Sequence, residues 1–157
     1  MRNVGIFIDV QNIYYTVKQH FGSHFDYDAF WKEVSKQRRV ETAIAYAIDR
    51  GDEKQRRFQN ILRGIGFAVK LKPFIQRCDG SAKGDWDVGI TIDVLHWAPR
   101  VDTVILVSGD GDFDLLVDTV RRDYGVAVEV YGVKTLTAES LISSASRFIP
   151  VSNKLLL

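Results

Sequence analysis

Apolar and polar residues fall along this chain in blocks that predict strands alternating with helices. Val4-Gly5-Ile6-Phe7-Ile8 is a continuous apolar run that ends abruptly in Asp9-Val10-Gln11-Asn12. Such a run is the pattern of a strand buried on both faces. Helical spacing follows over residues 13–21 and again over 27–34, the second introduced by Asp26 or Asp28 as cap. Residues 42–48 form the next strand-like run, and Phe58, Ile61, Leu62 and Ile65 mark a helix after it. Residues 67–72 alternate as a third strand that ends at Pro73, and their lysines suggest a sheet edge.

The segment 76–85 is polar and small, the composition of a surface loop. Residues 87–94 fit a strand by β-branching. Continuation through Leu95, Trp97 and Ala98 favours a helix, with Asp85 as N-cap, Asp87 in the first turn and Pro99 beyond the end. Residues 103–107 are the clearest buried strand. They lead through Ser108-Gly109-Asp110-Gly111-Asp112 into a helix over 113–122, a strand over 126–131 and a last helix over 136–146. This alternation predicts βαβ units: an α/β fold with a mostly parallel sheet and helices on both faces.

At 157 residues and 46% hydrophobic content, one domain spanning 1–157 with a core of its own is expected. The formal charge of +1 supplies no global field for a polyanion, so nucleic-acid binding would need a local basic patch. The single cysteine, Cys78, rules out an intramolecular disulfide and fits a reducing interior. The first apolar run is too short for a signal sequence or membrane span, so a soluble, cytoplasmic protein without a membrane partner is expected. The three histidines, His20, His24 and His96, lack metal-ligand spacing and are read as structural.

Open parallel sheets bind ligands beyond the carboxyl ends of their strands. The two best strands here both end in acid, Asp9 after the first and Asp110 with Asp112 after the fourth. If those strands are neighbours, the acids converge, and Asp87 at a helix start can join them. Singly, each has a plainer reading: Asp112 as a helix cap, Asp110 as a turn residue, Asp87 as compensation for a helix dipole. Together they predict a site for Mg²⁺ or Mn²⁺, because clustered carboxylates resist common ionisation unless a cation offsets their charge. Such an ion polarises a phosphoryl oxygen and makes bound water more acidic, which implies phosphodiester hydrolysis.

Rival motifs fail. Leu115 stands where an EF-hand loop needs glycine, and Gln11 stands where a haloacid-dehalogenase phosphatase needs its second aspartate. No phosphate-binding glycine loop follows the first strand. Lys83 and the basic clusters Lys36-Arg38-Arg39 and Lys54-Arg56-Arg57 are candidate phosphate contacts. Tyr14 and Tyr15 are candidate stacking partners for a base.

The Asp9-Val10-Gln11-Asn12 segment resembles the D-x-x-N signature of NYN domains, the LabA-like group of the PIN-like nuclease superfamily. Lys83-Gly84-Asp85-Trp86-Asp87 with Asp93 is similar to that family's K-G-x-D segment, and Ser108-Gly109-Asp110-Gly111-Asp112-Phe113 is similar to its S-G-D-x-D-F. The resemblance implies a Rossmannoid sheet of order 3-2-1-4-5 and a helix over the Asp87 segment. It also implies a Mg²⁺- or Mn²⁺-dependent ribonuclease with Asp9, Asp87, Asp110 and Asp112 as metal-site acids, supported by Asn12 and Ser108.

Asp85 is one acid more than the motif needs. Asp87 is taken as the ligand because it keeps the six-residue spacing to Asp93. Asp93 itself lies about 120° around the helix from Asp87 and is given a supporting role. RNA is the expected partner, with DNA as the other candidate. The alternative function is a non-catalytic regulatory module that binds RNA or a protein. Substrate sequence, cleavage mode and oligomeric state stay open.

Overall fold

The computed structural model describes residues 2–73, 75–76, 82–83 and 85–157. Its strands are β1 (Arg2–Asp9), β2 (Arg38–Asp49), β3 (Ala68–Pro73), β4 (Ile75–Gln76), β5 (Ala82–Lys83), β6 (Thr103–Val107), β7 (Ala127–Gly132) and β8 (Arg147–Pro150). The helices are α1 (Val10–Phe21), α2 (Tyr27–Val34), α3 (Glu53–Ile65), α4 (Asp87–Trp97), α5 (Asp114–Tyr124) and α6 (Glu139–Ser144). Six strands form one sheet in the order β3-β2-β1-β6-β7-β8, every neighbouring pair parallel. Short β4 and β5 form a separate antiparallel pair.

Side chains of a strand alternate between faces, and the cores follow that period. Val4, Ile6 and Ile8 of β1 pack with Ile105 and Val107 of β6 against α1, α2 and α3. Phe7 packs with Val104 and Leu106 against α4, α5 and α6. Each fully buried side chain of this kind contributes about 1.5–3 kcal/mol by leaving water. Both faces are therefore covered, which is why the strands read as unbroken apolar runs.

The expected order holds for the first five strands of the sheet, with β8 as a sixth. Residues 147–150 were not expected to form a strand, and α6 is shorter than the helix predicted over 136–146. The reason is local. Ala145 is extended, Ser146 Oγ accepts from Val128 N–H, and the chain leaves the helix to pair with β7. Pro150 is tolerated because it ends an edge strand.

Several helix details match their causes in sequence. Asp26 caps α2 by accepting from Ala29 N–H at 3.0 Å. β3 lies at the sheet edge as its lysines suggested. In α3, Phe58, Leu62 and Ile65 face the core as expected, but Ile61 is exposed and Gln59 is buried. Leu155 and Leu156 pack on the domain, where the Leu155 carbonyl accepts from Asp26 N–H, while Leu157 leaves its side chain exposed and donates its N–H to His24 O. Among the described residues no helix is long and apolar enough to cross a membrane.

Candidate metal centre

Strand order reverses between β1 and β6, so the chain leaves their carboxyl ends in opposite directions and opens a crevice there. Asp9 closes β1 and caps α1, its Oδ1 accepting from Asn12 N–H at 3.3 Å. Its Oδ2 accepts from the hydroxyl of Ser108, a fully buried residue just past β6, also at 3.3 Å. Ser108 Oγ in turn accepts from Asp110 N–H at 3.2 Å. Asn12 Oδ1 accepts from Gly109 N–H at 2.9 Å. Asn12 and Ser108 thus bind the start of α1 to the loop after β6 and fix where the acids stand.

The loop itself is tight. A Cβ on Gly109 would lie 2.7 Å from the Leu136 carbonyl oxygen and 3.1 Å from Thr137 Oγ1. Gly109→Ala is therefore expected to displace the loop and lower stability by about 1–3 kcal/mol. A urea unfolding midpoint equal to that of the parent would show that the turn has more slack than these distances allow.

Asp110 Oδ1 accepts from Asp112 N–H at 2.9 Å, so Asp110 caps the short 3₁₀ turn that leads into α5. Asp112 makes no cap, which leaves its exposed carboxylate directed to the crevice rather than to a helix end. Carboxylate oxygens of Asp87, Asp110 and Asp112 come within 4.8 Å of one another. No other such group of His, Cys, Asp or Glu occurs among the described residues.

Asp9, more buried than the three, is not one of that group but is coupled by charge to Asp110 and Asp87. Burial raises its pKa to about 6, with repulsion from Asp110 and Asp85 adding to the rise while Asn12 N–H and Ser108 oppose it. Burial likewise raises Asp87 to about 7, helped by the charge of Asp110, by a hydrogen bond between these two carboxyls, and by Asp85 and Asp9. The site resists carrying its full negative charge. A hard divalent cation relieves that repulsion, and an all-carboxylate donor set is one that Mg²⁺ or Mn²⁺ accepts. The residues present therefore fit such an ion.

Asp85 does not cap α4, contrary to expectation. Trp86 takes the N-cap position without a side-chain cap, and Asp85 is exposed beside the acids. The physical reason is Trp86 itself. Its Nε1–H donates to Ala47 O at 2.8 Å, its ring lies 5.3 Å from that of Tyr46, and Lys72 Nζ sits 4.6 Å from the ring centroid. Lys72 also donates to Asp85 O at 3.1 Å. These contacts clamp the start of α4 to the ends of β2 and β3 and so set the register that leaves Asp87 in the crevice.

Asp93 points elsewhere. Its Oδ2 accepts from Tyr46 Oη at 2.8 Å and from Lys70 Nζ at 2.7 Å, joining α4 to β2 and β3. Tyr14 and Tyr15 are exposed on α1, and Tyr14 stacks on His24 with ring centroids 5.7 Å apart. Arg38 and Arg39 lie at the amino-terminal end of the sheet, where Arg38 pairs with Glu129, so that basic cluster is at the wrong end to serve the crevice. The Lys83 side chain, Gly84 and most of the polar segment before them lie outside the described residues.

A family profile described as NYN domain matches residues 3–154. The chain is 26% identical to the low amplitude and bright protein LabA of Synechococcus elongatus over 158 aligned positions, covering 96% of this chain and 84% of that protein. It is 53% identical to a protein of unknown function from Vibrio parahaemolyticus whose crystal structure superposes with a TM-score of 0.95, covering 99% of this chain and 96% of the other. Ribokinase from Giardia lamblia shares the fold alone, at 11% identity and a TM-score of 0.50 over 98% of this chain and 56% of that one.

Proposed function

This chain belongs to the NYN domain family, and on that premise we propose that it is a divalent-metal-dependent ribonuclease, with residues 1–157 acting as one domain. The observation that carries the reading is the convergence of Asp87, Asp110 and Asp112 within 4.8 Å beside buried Asp9 at the reversal of strand order. Asp87, Asp110 and Asp112 would hold Mg²⁺ or Mn²⁺, and Asp9 would complete the charge on its inner side. When bound, the ion supplies Lewis acidity toward a phosphoryl oxygen and a more acidic water.

The remaining work falls to the chain's own residues. Without a cation, a proton shared by Asp87 and Asp110 relieves their repulsion; a phosphodiester, itself anionic, could not approach these acids in their ionised form alone. Asn12 and Ser108 hold the two acid-bearing loops in register. Asp85 extends the acidic field at the mouth. Tyr14, Tyr15 and Lys83 are proposed to contact RNA around the crevice, and the cytoplasm is the proposed setting.

The test is cleavage of end-labelled single-stranded and hairpin RNAs, and of a DNA of matching sequence, with Mn²⁺, with Mg²⁺ and with chelator. Metal-dependent cutting of RNA supports the ribonuclease. No cutting under any condition, with metal and RNA both bound, would replace it by a non-catalytic RNA-binding module.

Asp93 offers an internal control, since it belongs to the same sequence motif but faces Tyr46 and Lys70. Asp93→Asn is expected to reduce stability by about 1–2 kcal/mol through its lost charge-assisted bonds. Cleavage should fall by less than about tenfold, below the loss typical of groups that orient metal ligands. A loss as large as that of a crevice acid would place Asp93 in the centre after all.

A further inference from the structure

Beside Asp9, between α1, α2 and α3, lies a cavity of about 490 Å³, a size typical of small-molecule sites. Two of its walls carry polar groups that the fold leaves without partners. Gln59 of α3 is only 6% exposed and its amide makes no hydrogen bond to the described residues. Tyr27 of α2 is 9% exposed, and its hydroxyl likewise has no partner. Neither group is wholly sealed from solvent, so both open onto the cavity. A neighbouring amide is used differently: Gln55 Oε1 accepts from Arg50 N–H at 2.9 Å.

Gln59 thus turns its amide donor and acceptor to the cavity and not to the fold. The rest of the wall is mixed aromatic and basic. Phe58 packs edge-on against Tyr27 with centroids 5.4 Å apart, Tyr15 stands half-exposed at the rim, and Lys54 lines the opening. Val10, which follows Asp9 in the chain and opens α1, lines the cavity, so the cavity lies against the end of β1 that carries Asp9.

We propose that this cavity is a nucleobase pocket that seats one base of a single-stranded RNA next to the acidic centre. An amide offers a donor and an acceptor together, as the edge of a base requires, and aromatic side chains supply faces for its ring. Lys54 at the rim suits the phosphate that follows the base. A purely apolar ligand would strip water from Gln59 and Tyr27 without replacing its hydrogen bonds. That the base belongs to RNA rests on the nuclease reading above; the pocket does not.

The test uses the full chain as Asp110→Asn in chelator, so that nothing is cut and no ion takes part. Fluorescence anisotropy would follow single-stranded RNA pentamers, intact or with one abasic position, with free nucleosides as competitors. The abasic position and Tyr15→Ala are each expected to weaken binding by about 5- to 100-fold. Gln59→Leu should weaken it by about tenfold with little change in melting temperature, because the amide has no protein partner to lose.

Competition by a free nucleoside as tight as that of the pentamer would keep the base pocket and assign it to free nucleotides. Should Gln59→Leu fold poorly, Tyr15→Ala and the abasic arm still decide. Pentamer binding indifferent to all three changes, or no binding of pentamer or nucleoside, overturns the pocket even if the parent cuts RNA. Base-dependent binding by a protein that cuts nothing with any metal keeps the pocket and removes the nuclease.

Discussion

Asp110→Asn is expected to fold normally and to lower metal-dependent RNA cleavage by more than about 100-fold, above the 10–100-fold range for groups that only orient metal ligands. Asp110 is coupled to the other acids: its charge raises the pKa of both Asp87 and Asp9, and it belongs to the 4.8 Å triad. Its structural duty is narrower, a single cap in which Oδ1 accepts from Asp112 N–H. An asparagine oxygen can make that same bond, so the substitution removes charge and leaves the turn. The comparison to make is single-turnover cleavage by parent and variant at saturating Mn²⁺, alongside their circular dichroism. Retention of more than a tenth of the parent rate would mean that the crevice acids are not the chemistry of this protein.

The second large effect is on stability in the absence of metal. Asp9 and Asp87 have native pKa values of about 6 and about 7, above the ordinary carboxyl range, chiefly through burial. An acid whose pKa is raised by folding binds its proton more tightly in the native state. Its stabilisation is therefore complete below about pH 4 and is lost as pH rises through the native value. In chelator, melting temperature should fall between about pH 4 and pH 8. Asp9 accounts for about 2–3 kcal/mol of this, with a smaller share from half-buried Asp87 after solvent screening.

For a chain of this length the Asp9 share corresponds to roughly 5–10 °C. Mg²⁺ or Mn²⁺ should flatten the fall by offsetting the charge, and Asp9→Asn should remove its own share, melting above the parent at pH 8 in chelator. A melting temperature that rises over this interval, or an Asp9→Asn variant with the parent's pH dependence, would show that Asp9 is not an ionised group held against its preference.

Gln59 and Ile61 mark where pattern reading stops. Helical spacing over α3 put Ile61 on the apolar face, yet the structure exposes it and buries Gln59 instead. A cavity between three helices has no period in the sequence, because its walls come from residues far apart in the chain. Trp86 is similar. The motif comparison assigns it no role, whereas its bond to Ala47 O and the Lys72 cation on its ring are what fix the register of Asp87.

The sequence by itself determined the strands, most of the helices and the identity of the acids. Burial on two faces and helical spacing are local patterns, and motif residues sit at fixed offsets from strand ends. Only the tertiary structure decided that β1 and β6 lie side by side, and hence that the acid of one meets the acids of the other. It also separated Asp87 from Asp93 within one motif and brought Gln59 and Tyr27 to one cavity. Distances between side chains on different elements depend on how the helices pack on the sheet, and that is settled by the shape of the whole core rather than by any stretch of chain.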